Sequence, residues 1–131
     1  MRSTTPALHA LHVALDALPP PHSRKGPALG NWRWTVRQRL GAVRDLLVAE
    51  TDTYTAAWRD ATAAGETTLL TARNMLLERI RIFDNLVLQS PEPDAVRRDL
   101  MRLLVDVDHH VARLREVVAA TRAEPRPAAL D

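Results

Sequence analysis

Three chemically capable side chains in this sequence, Glu50, Arg73 and His110, carry a helical phase that turns them inward. At about 100° per residue, Glu50 extends the Val43–Leu47 stripe by one step and Arg73 falls between Leu69 and Leu76. His110 falls between Val107 and Leu114, with Asp106 one turn behind it. Measured along the helices from the end holding the 19–30 connector, the three depths agree within about 6 Å, roughly one turn. A carboxylate, a guanidinium and an imidazole are therefore expected to meet in one interior layer, because an isolated buried charge is costly. Such a layer either fixes helix register as a satisfied polar network or serves as a metal or proton-transfer site, with His110, Glu50 and Asp106 as ligands. A fixed Arg73 cation works against the metal option, since it repels a divalent ion and takes up the carboxylate.

Two further groups of residues could do chemistry at the surface. His12 and Asp16 are one turn apart and His9 precedes His12 by three, but their phase lies about 80° to 140° from the apolar stripe of their helix. A weak, solvated His–Asp pair is expected there, and His109 also points outward. In the run WRWTVRQRL, Trp32 falls on the buried face and Trp34 on nearly the opposite one, beside Arg33, Arg37 and Arg44, with Gly41 permitting close approach. An exposed Trp among arginines suits a protein partner or base stacking with phosphate contacts; alternatively Trp34 packs under the prolines of the connector. On this reading Arg33 is a surface residue, and its loss costs only about half a kcal/mol.

Helical segments must position these groups. Thr5-Pro6 signals a first helix, whose Leu8, Leu11, Leu15 and Leu18 form one stripe until Pro19-Pro20-Pro21 ends it. The segment PPPHSRKGPALG reads as an extended connector, with Asn31 capping a second helix that buries Trp32, Val36, Leu40, Val43 and Leu47. A break is expected at Glu50–Thr55, with a weak resumption at Ala56 and Trp58 that Gly65 interrupts. From Glu66 a third helix carries Leu69, Leu76, Ile80, Phe83 and Val87. After the Ser90-Pro91-Glu92-Pro93 turn, Val96, Leu100, Leu103, Val107, Val111, Leu114 and Val118 carry a fourth to about residue 122. No period-two alternation and no Asn-Gly or Asp-Gly hairpin signal competes with these patterns. The expected fold is all-α, an antiparallel four-helix bundle with a proline-rich connector between helices one and two. One domain spans residues 1–122, and 123–131 form a tail expected to fray.

Composition narrows the function classes. The 131 residues suit one domain, and 46% hydrophobic with 26% charged residues argues against wholesale disorder. With no cysteine, disulfides, thiolate zinc sites, thiol nucleophiles and iron–sulfur clusters are excluded. No apolar run reaches a membrane span and the N-terminus lacks a signal-peptide core, so a cytoplasmic location is expected. Net charge is only +2, yet residues 1–44 hold seven basic side chains against one acidic, and 45–96 hold four against nine. Folding one half on the other would bring opposite charges together, which explains the asymmetry without a nucleic-acid partner. Seventeen of the eighteen basic residues are arginine, a bias that follows from GC-rich coding and carries no functional weight by itself. No Gly-rich phosphate loop, HExxH, G-x-S-x-G elbow or suggestive Ser–His spacing is present.

With a histidine on the first helix and another midway along the last, the pattern resembles the hemerythrin-like (HHE) bundles. In that family seven His, Glu and Asp side chains on four helices hold two iron ions. Glu50 matches the helix-two glutamate, while Leu46 stands where its histidine belongs. His110 matches the helix-four histidine, but Arg115 replaces the aspartate. Arg73 or Glu78 occupies the histidine region of helix three, and His9 or His12 matches helix one. The resemblance implies iron or another divalent metal on His110, Glu50 and His12, with oxygen-binding di-iron chemistry lost.

The residues themselves lead to a non-enzymatic interaction or regulatory module with no cofactor. It would present Trp34, Arg33, Arg37, Gly41 and Arg44 to a protein partner or to a second copy, with no membrane attachment. The metal or redox protein is the alternative, and weak nucleic-acid binding through the basic N-terminal half comes third.

Overall fold

The computed structural model describes residues 5–53 and 67–123, with side chains placed for 5–49 and 69–119. Four helices account for most of them: α1 (Pro6–Asp16), α2 (Pro27–Thr53), α3 (Thr67–Gln89) and α4 (Pro93–Ala123). No strand occurs among the described residues, and no described helix is long and apolar enough to cross a membrane.

The apolar stripes form the core. Trp32, Val36, Leu40, Val43 and Leu47 of α2 are all buried, as are all seven stripe residues of α4. Leu69, Leu76, Ile80 and Val87 of α3 and Leu8, Leu11 and Leu15 of α1 join them, with Phe83 and Leu18 half-buried. Each buried Leu or Val removes enough apolar surface from water to contribute about 1.5–3 kcal/mol. That burial stabilises α1, which at 11 residues is too short to hold as an isolated helix. α1 packs on α2 and α4, α2 on α3, and α3 on α4.

Polar contacts fix the register between helix ends. At the start of α2, the Trp32 indole N–H donates to Ala14 O at 2.9 Å, near the end of α1. One residue on, Arg33 donates to Leu88 O and Ser90 O at the end of α3. At the start of α4, Arg97 donates to Leu15 O and to the Asp16 carboxylate. Thr5 opens α1 without capping it through its side chain; its hydroxyl accepts from Arg115 instead, at 3.4 Å.

Two expected boundaries differ. α2 begins at Pro27 rather than after Asn31, so the connector is shorter than residues 19–30 and contains a 3-10 turn at Pro21–Ser23. The cause is the Gly26-Pro27 pair: Gly26 adopts φ 88°, a conformation open to glycine, and the fixed φ of Pro27 suits the first helical position. The break expected at Glu50–Thr55 does not occur through Thr53, where α2 continues. Threonine loses only a few tenths of a kcal/mol per position in a helix, too little to end one already running. The expectations placed on Tyr54, Ala56, Trp58, Gly65 and Glu66 lie outside the described residues, as does the tail beyond Ala123. The opposite charges do meet across the fold. Arg24 grips Asp94 with both terminal nitrogens, at 2.7 and 3.0 Å, and Arg44 reaches Asp84 at 3.4 Å.

Candidate functional site

His110 is interior, 6% exposed, on the flank of α4 that faces α3. Burial, and secondarily the Arg73 guanidinium nearby, push its pKa below the ordinary histidine value, so the neutral imidazole is favoured. Arg73 sits half-buried on α3 and donates to Asn74 Oδ1 at 3.1 Å. Asp106 does not join this pair. Its position, about 100° from the centre of the α4 stripe, turns it to the groove rim, where Arg79 takes its carboxylate at 2.8 Å. The Glu50 side chain lies outside the described residues. Of the expected layer, His110 and Arg73 are brought together and Asp106 belongs to a neighbouring ion pair.

Of the metal set that the resemblance implies, the Glu50 side chain lies outside the described residues, and His12 and His110 are not brought together. His12 lines a groove between α1 and α4, with His9 and Asp108, whereas His110 lines the opposite groove, between α3 and α4. His12 Nδ1 faces Asp16 at 3.5 Å, the solvated pair expected from the spacing. Among the described residues no three His, Asp or Glu side chains converge as ligands, and a guanidinium stands beside the one buried imidazole.

The outer face of α2 holds the second candidate. Trp34 is 53% exposed and is not covered by the connector. The Arg37 guanidinium carbon stands 6.0 Å from its ring centroid, in cation–π range. Arg37 Nε donates to the Asp84 carbonyl on α3 at 3.2 Å, so this cation is anchored through backbone. Trp34, Arg37, Arg39, Gly41, Arg44 and Asp84 border a shallow cleft of about 590 Å³. Arg33 leaves the expected arginine sector. Its terminal nitrogens reach Leu88 O at 3.3 Å and Ser90 O at 2.6 Å, where the unsatisfied carbonyls at the end of α3 attract a cation.

Sequence reasoning missed these arginine clamps. Arg33 and Arg97 each join the start of one helix to the end of another, and Arg24 ties the connector, through Pro19 O, to Asp94 at the start of α4. Their common signal was position, since Arg33 and Arg97 fall within the first two turns of α2 and α4. The α3/α4 groove was also unforeseen: about 370 Å³, bordered by Leu69, Ala72, Met75, Leu76 and His110, with Met75 largely exposed.

What the described surface offers is an exposed indole beside an ordered cation, and a buried imidazole close to a guanidinium. No family model, curated protein or solved structure matches this chain.

Proposed function

We propose that this chain is an antiparallel four-helix bundle, its first two helices joined by a proline-rich connector, that works in the cytoplasm as a non-enzymatic interaction module through the Trp34 face of α2. The antiparallel order is supported by the contacts that tie the start of one helix to the end of a neighbouring one: Trp32 to Ala14, Arg33 to Leu88, and Arg97 to Leu15.

One observation carries the functional reading: a half-exposed tryptophan whose neighbouring cation is already ordered by a backbone carbonyl. Tryptophan and arginine supply much of the energy of protein interfaces. Side chains ordered before contact lose less entropy on binding, so the pair is preorganised for a partner. Trp34 contributes little to the core, because the adjacent Trp32 fills the buried position.

Sedimentation of wild type and Trp34→Ala over a range of concentrations, together with partner capture using each as bait, tests this reading. Loss of association or of a captured partner in Trp34→Ala, with helical content retained, supports it. Identical behaviour in both assays removes it.

A further inference from the structure

Resting on the reading of Trp34 as a docking face, we infer that the occupant is an acidic protein segment, one of whose carboxylates is received by Arg37 beside the indole. Asp84 orients two arginines but neutralises only one. Its carbonyl holds Arg37 Nε, while its carboxylate goes to Arg44. Asp45 adds a second acid to the same Arg44, at 3.6 Å. Among the described residues no carboxylate stands within salt-bridge distance of Arg37 or Arg39.

The cleft is therefore polarised. Arg37, beside Trp34, stands without an acid among the described residues, the Arg44 end is balanced by two aspartates, and Arg39 borders the same cleft. Arg37, held through Nε, keeps its paired terminal nitrogens for a carboxylate, the geometry in which a guanidinium binds most strongly. The exposed indole alongside accepts an apolar neighbour of that acid. Gly41, with no side chain, leaves the floor between the two ends open. A nucleic-acid strand carries charge at every step, so part of its phosphate ladder would lie against Asp45 and Asp84. One or two carboxylates flanked by an apolar residue match the pattern without that repulsion.

The test uses the full chain and a fluorescein-labelled random copolymer of glutamate and tyrosine, followed by anisotropy at low salt, with labelled oligothymidylate as the competing polyanion. Circular dichroism confirms that each variant is folded. Wild type binds the copolymer, and oligothymidylate at least about tenfold more weakly. Arg37→Gln and Trp34→Ala each weaken copolymer binding by about tenfold. Arg39→Gln, at a position with no ion pair among the described residues, weakens it by about three- to fivefold. Equal or tighter binding of oligothymidylate overturns the inference, as does copolymer binding insensitive to Arg37→Gln and Arg39→Gln. Self-association through Trp34 that the copolymer does not compete with overturns it too, by assigning the face to a second copy. If the copolymer fails to bind while Trp34→Ala still alters sedimentation or capture, the docking face stands and the acidic occupant falls.

Discussion

The indole N–H of Trp32 lies 2.9 Å from the carbonyl oxygen of Ala14, and this contact hooks the first turns of α2 onto the last turn of α1. The same carbonyl also receives Ala17 N–H at 3.1 Å, so it closes α1 and anchors α2 at once. Trp32→Phe keeps most of the buried ring and removes only the donor, which should lower stability by about 1 kcal/mol. Trp32→Ala leaves a cavity and should cost about 3–5 kcal/mol. Urea denaturation of the two variants checks both values; a Phe variant as stable as wild type would show that the hydrogen bond contributes nothing net.

Arg33→Ala should cost about 1–2 kcal/mol, well above the value for a solvated arginine, because it strips two hydrogen bonds from the carbonyls that end α3. Arg39→Ala is the internal control: the Arg39 side chain is exposed and makes no ion pair among the described residues, so its effect should stay within about 0.5 kcal/mol. Chemical denaturation of the two proteins side by side measures the difference. Equal midpoints would mean that the α2–α3 clamp adds no stability.

The core was legible because it rests on period alone. Every α2 and α4 stripe residue read from spacing is buried, and the opposite phases of Trp32 and Trp34 follow from two steps of 100°. Helix ends were less legible. Gly26 and Pro27 act together as a turn and a start, while β-branched Thr51 and Thr53 weigh too little to stop a packed helix. The polar contacts were least legible. Whether Asp106 joins His110 or Arg79 depends on tens of degrees of phase and on which long side chain reaches it, and Arg33 has reach enough to leave its helical sector for carbonyls on α3. The abundance of arginine, attributable to coding bias, concealed that several of them tie helix ends together.

Gly41→Ala should stabilise the protein. Gly41 lies inside α2, where glycine is less favourable than alanine by about 0.5–1 kcal/mol. An added Cβ would meet only Arg44 Nη2, at 3.4 Å, the movable end of a long side chain. Thermal unfolding should therefore shift upward by a few degrees. A lower midpoint would indicate that the floor of the cleft is more tightly packed than this spacing allows.

The buried imidazole of His110 makes stability depend on pH, with a definite sign. Burial and Arg73 lower its pKa in the folded protein, so below the ordinary histidine value of about 6.5 the unfolded chain binds the proton more readily. Among the described residues, the charged and titratable groups around it are Arg73 and Arg79 on α3 and Asp106, His109 and Arg113 on α4, with Asp106 already engaged by Arg79. The contribution of neutral His110 is thus fully present above about pH 6.5 and is lost as pH falls toward the folded pKa. Urea midpoints of wild type and His110→Gln at about pH 7.5 and 5.5, a window that spares most carboxylates from protonation, isolate this group. Wild type should lose more stability than His110→Gln on acidification. Parallel losses in the two proteins would show that His110 is equally protonated in the folded and unfolded chains, and would remove it as a pH-sensitive element of the α3/α4 groove.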